Sequence, residues 1–232
     1  MDSDTTAFAR AVETRGWAVT APVLSAAQVD ALRVEVGSLA TDGRGGARNL
    51  LELPGVLALA VSPAIRAYVE PVLGNESFAV RALLFDKTPG ANWKVIWHQD
   101  LTIPARAQAD VPGYGPWTQK AGVPHVQPPV SVLSAMLAVR LHLDPSGPDN
   151  GPVRVLDGTH RHGRLSGMQI DALRASEPET ECVVAEGGIL AFRPLLLHAS
   201  APALVPRHRR VIHIEYAAVE LAAPLEWHRR VA

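Results

Sequence analysis

The sequence predicts a mainly β protein with flanking helices, an antiparallel sandwich or barrel, and three observations predict it. From about residue 77 the chain breaks into short apolar segments at 77–87, 93–100, 134–144, 152–156, 181–185, 188–193 and 209–219, separated by Gly and Pro. Within that stretch a helical pattern occurs near 167–175 only. Helical periodicity is otherwise confined to the first 76 residues. With 232 residues, 47% of them hydrophobic, the chain is long enough to bury a large core as one domain. Its expected parts are a helical segment of about 1–76 and a β core of about 77–220.

The first forty residues read as a strand and then a helix. Gly16-Trp17-Ala18-Val19-Thr20 is a short extended segment, after which Ser25 can cap a helix with Gln28 answering three residues on. Val29, Leu32, Val36 and Leu39 repeat at three-to-four spacing and give that helix one buried stripe. Ser62-Pro63 starts a second helix through Tyr68 to Leu73, because Pro at the first turn lacks only an N–H that would be unpaired anyway. Gly74-Asn75 ends it. The stretch 101–130 carries six prolines and little periodicity, and reads as a long loop or lid following the strand at 93–100. Asn150-Gly151 marks a tight turn between strands, and Trp227-His228-Arg229-Arg230 a partly ordered tail.

Charge and cysteine content narrow the function. Lys and Arg total 22 against 23 Asp and Glu, a net charge of −1 without basic runs, which argues against nucleic acid or a membrane surface as partner. The single Cys182 excludes an intramolecular disulfide, suits a reducing cytoplasm, and reads as a small apolar residue of a strand. Met1-Asp2-Ser3-Asp4 is acidic, without the basic-then-apolar order of a signal peptide, and no apolar run has bilayer length. These features lead to the expectation of a cytoplasmic protein.

The chemistry centres on His98-Gln99-Asp100, followed by His198 and Arg209. Residues two apart on an extended strand face the same way, so His98 and Asp100 can reach one ion while Gln99 points elsewhere. His198 follows the apolar run Gly188-Ile189-Leu190-Ala191-Phe192, a buried strand, and supplies a second imidazole. Two imidazoles and one carboxylate occupy one face of an octahedral Fe(II) and leave three positions for a chelating co-substrate and dioxygen. Arg209 opens the strand pattern Val211-Ile212-His213-Ile214-Glu215-Tyr216 and can return to the same pocket, where a guanidinium grips a carboxylate through two parallel hydrogen bonds. A His-x-Asp triplet alone is an ordinary surface feature. Its weight comes from the aromatic strand around it, with Trp93 and Trp97, and from the distant His and Arg.

Trp97-His98-Gln99-Asp100, then the run from Asp149-Asn150-Gly151-Pro152 to Gly158-Thr159-His160, then His198-Ala199-Ser200 with Arg209, resemble the phytanoyl-CoA dioxygenase family of Fe(II)/2-oxoglutarate oxygenases. Gly16-Trp17-Ala18-Val19 with Leu24-Ser25 and Val29-Asp30-Ala31-Leu32-Arg33 is similar to that family's opening strand and helix, so the likeness runs from about residue 10 to 220. The resemblance implies a double-stranded β-helix, the cupin-like jelly roll. It implies that His98, Asp100 and His198 are catalytic iron ligands, and that Arg209 and Ser200 bind the distal carboxylate of 2-oxoglutarate. Strand parity puts Arg209, Val211 and His213 on one face and Arg210, Ile212 and Ile214 on the other, and spacing favours Arg209 over Arg210. The implied cofactors are Fe(II), 2-oxoglutarate and O2, with succinate as co-product. Because Asp100 is present, hydroxylation is expected rather than the halogenation seen in members with a small residue there.

Further polar residues are candidates for substrate contact. Arg140 and His142 alternate with Val139, Leu141 and Leu143, so one face of that strand is polar, turned either into the barrel or to solvent. Arg81, and His125 and Gln127 in the proline-rich stretch, are similar candidates. Lys87 and Lys94 flank the metal strand and are candidates to approach 2-oxoglutarate, with exposure as the ordinary state of a lysine. His160 and His162 sit two apart in a loop without an acidic partner, a poor second metal site. The expected partner is a small molecule: a free acid, an amino acid or a natural-product intermediate. Two competing readings are a Zn or Mn jelly-roll hydrolase or isomerase, which needs no diacid pocket, and a non-catalytic binding module.

Overall fold

The computed structural model describes residues 3–37, 39 and 46–232. Met1 and Asp2, which open the acidic N-terminus, lie outside the described residues. Helix α1 (Ser3–Arg15) leads into strand β1 (Trp17–Val19), helix α2 (Ala26–Gly37), strand β2 (Gly46–Ala47), and helices α3 (Pro54–Ala60) and α4 (Pro63–Leu73). The two N-terminal signals read from sequence hold. Ser25 and Gln28 exchange the capping bonds ahead of α2, and α4 begins with Pro63 behind Ser62 and ends at Gly74. α1 was not expected from the sequence. It buries only Thr5, Phe8 and Val12, a stripe too sparse to stand out by periodicity, and Phe8 meets Tyr68 of α4 edge to face at 4.9 Å.

The strands β3 (Phe78–Lys87), β4 (Val95–His98), β8 (Met136–His142), β9 (Val153–Leu156), β11 (Ile189–Phe192) and β13 (Arg209–Ala217) occupy predicted segments, as does helix α6 (Gly167–Ser176). Between β4 and β8 come β5 (Ile103–Pro104), β6 (Trp117–Lys120), β7 (Val123–Val126) and helix α5 (Val130–Ser134). Strand β10 is Glu179–Cys182, earlier than the expected 181–185, and β12 is His198–Ser200. The stretch 101–130 is therefore not a structureless loop. β5, β7 and β6 form a sheet of their own, held by backbone bonds that the prolines between them do not interrupt.

Two antiparallel sheets face each other as a jelly roll. The major sheet runs β1-β11-β8-β13-β3-β2 and the minor sheet β10-β9-β12-β4. β1 and β2 thus belong to the major sheet although they come from the helical N-terminal part. Alternation along β13 decides which side is which. Ile212 and Ile214, with Leu84, Val139 and Leu141 of its neighbours, pack against Val29, Leu32, Val56, Ile65 and Val69 of the helices. Each such side chain contributes about 1.5–3 kcal/mol on burial. The opposite side carries the polar set Arg81, Arg140, His142, Arg209, His213 and Glu215, which turns inward between the sheets. On the outer side of the minor sheet Trp97, Leu156, Leu197 and Ala199 pack on Leu165, Ile170 and Leu173 of the α6 region.

The C-terminal segment is not a frayed tail. Trp227 is 3% exposed, stands edge to face with Phe78 at 6.2 Å, and donates its indole N–H to Val219 O at 3.0 Å. Val231 bridges to Ala79 at the start of β3. An aromatic and an aliphatic residue at that spacing find a sheet edge to cover. Cys182 is buried at the end of β10, and burial pushes its thiol up to about 12. No single helix among the described residues is long and apolar enough to cross a membrane.

Candidate metal centre

β12 lies between β9 and β4, with His198 directly opposite His98. The register slips between His198 and Ser200, so that Val95 pairs with Ser200 and both Val95 and His98, three apart, face the cavity. The imidazole centroids are 4.2 Å apart. Each ring is pinned by the carbonyl two residues earlier: His98 Nδ1 lies 2.8 Å from Ile96 O, and His198 Nδ1 lies 3.0 Å from Leu196 O. A carbonyl only accepts, so both protons sit on Nδ1 and both Nε2 atoms present lone pairs.

Asp100 follows the last residue of β4 rather than lying on it, and its N–H donates to Pro194 O at 2.8 Å. Its two oxygens stand 3.7 Å from His98 Nε2 and from His198 Nε2. Those separations are too long for hydrogen bonds. The three donor atoms all lie within 4.8 Å of one another, a spacing that one ion fills. His198 Nε2 is buried without any partner, an arrangement that costs stability unless something binds there. Two imidazoles and a carboxylate suit iron(II). Among the described residues no other such group of three appears, and His160 and His162 are not joined by a third donor.

Electrostatics favour the forms a metal needs. Burial pushes His198 down to about 3, with His98 and Arg140 reinforcing it against Asp100. Burial alone would raise Asp100, but His198, His213, His98 and Arg140 outweigh it and hold the carboxyl well below the usual range. An ionised carboxylate therefore faces the neutral imidazole of His198.

The cavity has a volume of about 150 Å³ and is walled by both sheets, with Phe85, Trp93, Val95, Val153 and Val211 among its apolar lining. Arg209 and Ser200 line it too. Arg209 is buried, and its Nη1 donates to the carbonyl of Gly151 and, at 3.5 Å, to that of Asn150. Burial pushes its pKa down to about 10, aided by Arg140. Gly151 is required where it sits: its φ is +61°, and a Cβ would stand 2.5 Å from Ala201 O. It follows a single 3-10 turn, Pro148–Asn150, the turn signalled by Asn150-Gly151.

Lys87 corrects an expectation. It is wholly buried rather than exposed, because it points inward opposite Arg209 in the strand register, donating to Ser200 Oγ at 3.0 Å and to Ala201 O. Burial first, then Arg209 and Arg140, push it down to about 7. Lys94 is exposed.

Arg140, His142 and Arg81 line the cavity, so the polar face of β8 turns inward. Both ring nitrogens of His142 are buried without partners, and burial pushes it down to about 3. Arg81 is paired with Glu215. His125 and Gln127 are not brought to the cavity. His125 is buried beside a separate space of about 20 Å³ that touches Arg81, its Nδ1 lying 3.0 Å from Val123 O. Gln127 lines neither space; its backbone pairs with Gly115 and Pro116. The 101–130 stretch thus flanks the cavity rather than covering its metal end. His213, which parity placed on the face of Arg209, lines the cavity, and Glu215, two residues on, joins it there; the same parity was the signal that could have found Glu215.

The sequence profile described as phytanoyl-CoA dioxygenase (PhyH) matches residues 50–211. Among solved structures, AviO1 from Streptomyces viridochromogenes Tue57 is 21% identical with a TM-score of 0.66, over 97% of this chain and 98% of that one. SnoK, a non-heme alpha ketoglutarate dependent carbocyclase from nogalamycin biosynthesis, is 14% identical with a TM-score of 0.70, over 95% and 85%. EctD from S. alaskensis, solved with 2-oxoglutarate and 5-hydroxyectoine, is 18% identical with a TM-score of 0.70, over 94% and 77%. These likenesses show a shared fold. No curated protein matches the chain.

Proposed function

The chain belongs to the phytanoyl-CoA dioxygenase (PhyH) family, and we propose that it hydroxylates a small organic molecule at an iron centre held by His98, Asp100 and His198. It is a non-haem Fe(II)/2-oxoglutarate oxygenase. The observation that carries the residue assignment is the convergence of three otherwise unpaired donor atoms on one point of a cavity that also holds a buried guanidinium. Bound iron supplies dioxygen activation coupled to conversion of 2-oxoglutarate to succinate.

The chain's own residues do the rest. The carbonyls of Ile96 and Leu196 hold both imidazoles in the metal-binding tautomer. Arg209 and Ser200 take the distal carboxylate of 2-oxoglutarate, and Lys87 stands behind Ser200, donating to its Oγ. Phe85, Trp93 and Val211 exclude water, which strengthens each charge interaction inside. Arg140, His142 and Arg81 are left to face substrate. Residues 1–232 act as one domain, and the lone buried Cys182 supports a reducing, cytoplasmic setting.

Neither the hydrolase or isomerase reading nor the binding-module reading has an observation of its own. The test is a thermal melt with Mn(II) and N-oxalylglycine, a non-reacting analogue of 2-oxoglutarate, followed by succinate release on addition of Fe(II), 2-oxoglutarate and candidate substrates. A rise in Tm that needs both ligands and vanishes in His98→Ala supports the assignment. Equal shifts in both proteins count against it.

A further inference from the structure

Three guanidinium groups line the cavity, Arg209 buried and Arg81 and Arg140 partly buried, and they differ in what answers their charge. Arg81 is matched by Glu215. Arg209 and Arg140 have no ion pair among the described residues. On the reading above, which this inference rests on, the distal carboxylate of 2-oxoglutarate answers Arg209, while its other carboxylate and Asp100 together neutralise a divalent metal. Arg140 then remains a partly buried, uncompensated cation inside the cavity, a costly state without an anionic ligand.

Its surroundings prepare it for one. Arg140 Nε donates to His213 Nδ1 at 3.1 Å. Since Nε can only donate, His213 carries its proton on Nε2, which lies 3.2 Å from Glu215 Oε1. The guanidinium stands 5.3 Å from the Phe85 ring centre and 5.1 Å from that of Phe192, within cation–π reach of both. Its Nε edge is thus anchored, and the two terminal amino groups meet no acceptor among the described residues. A planar fork held in this way matches a carboxylate.

We propose that the substrate is a carboxylic acid, bound as its anion by Arg140, with the carbon to be oxidised lying between that carboxylate and the metal. Arg140 is then the residue that selects acids over neutral analogues of the same shape.

The test uses the full chain loaded with Mn(II) and N-oxalylglycine, whose binding to the wild type is titrated first. Butyrate, hexanoate and phenylacetate are then titrated by calorimetry, each against its primary amide. The expected result is that the acids bind about tenfold or more tighter than the amides, that Arg140→Gln removes the preference while N-oxalylglycine affinity stays within about twofold, and that Arg140→Lys keeps part of it. The wild-type comparison decides even if Arg140→Gln does not fold. Acids and amides that behave alike, including no binding of either, overturn the proposal. So does an Arg140→Gln protein that loses N-oxalylglycine, since Arg140 would then serve the co-substrate. Failure of N-oxalylglycine to bind the wild type overturns the co-substrate reading itself, and the first titration reveals it.

Discussion

Arg209 and Arg210, adjacent at the head of β13, point to opposite sides of the major sheet: Arg209 into the cavity, Arg210 onto Asp144 through two bonds of 2.8 Å. Their substitutions therefore separate. Arg209→Gln is expected to raise the KM for 2-oxoglutarate on the order of a hundredfold or more, the cost of removing one partner of a buried charged pair. Arg210→Gln leaves that KM unchanged and lowers stability by about 1–3 kcal/mol, because Asp144 loses a charged donor. Succinate kinetics and urea melts of the two proteins check both.

Gly151→Ala tests the backbone behind Arg209. The added methyl enters a left-handed position and meets Ala201 O at 2.5 Å, while the Gly151 carbonyl receives Arg209. A loss of about 1–3 kcal/mol in stability is expected from the strain, together with weaker binding of N-oxalylglycine. Calorimetric titration of the variant measures the second effect, and an unchanged affinity would show that this turn does not set the guanidinium.

Lys87 gives the apo protein a signed pH dependence. Its pKa is about 7 in the folded chain against an ordinary 10.5, so between those values the unfolded chain binds more protons. Stability from this group therefore rises as pH increases from about 7 towards 10.5 and is lowest below 7. Lys87→Met should flatten that rise and raise Tm near pH 6. A distal carboxylate placed beside Lys87 favours the ammonium, so 2-oxoglutarate binding near pH 8 should take up protons in the wild type but not in the variant. Calorimetry in buffers of different ionisation enthalpy reads the uptake.

Trp227→Ala is expected to cost about 3–5 kcal/mol, since it empties a buried site against Phe78 and leaves Val219 O without its donor. Thermal unfolding checks it. A change below about 0.5 kcal/mol, the usual range for surface positions, would mean that the C-terminal segment is loosely held.

How much of this was legible beforehand follows from where each signal resides. The long strands β3, β8 and β13 were readable because alternation over seven or more residues is hard to mistake, and along β13 it put Arg209 and His213 on one face, whereas which way the polar face of Arg140 and His142 turned depended on the packing of the two sheets. His98, Asp100 and His198 were readable as a set by residue type and order. β5, β6 and β7 were not: they are two to four residues long and interleaved with prolines, so no periodicity develops. Lys87 was misjudged because a lysine is ordinarily exposed, and its burial depends on the register opposite Arg209 and on Ser200, a neighbour 113 positions away. The bulge in β4 that lets Val95 and His98 face the same way also has no local sequence mark.

The most direct test of the iron centre is diffraction from crystals grown anaerobically with Fe(II) and N-oxalylglycine, with data collected at the iron absorption edge. One iron per chain is expected, bonded to His98 Nε2, His198 Nε2 and an Asp100 oxygen, with the distal carboxylate of the analogue on Arg209 and Ser200. Iron bound elsewhere, or an analogue lying away from Arg209, would contradict it.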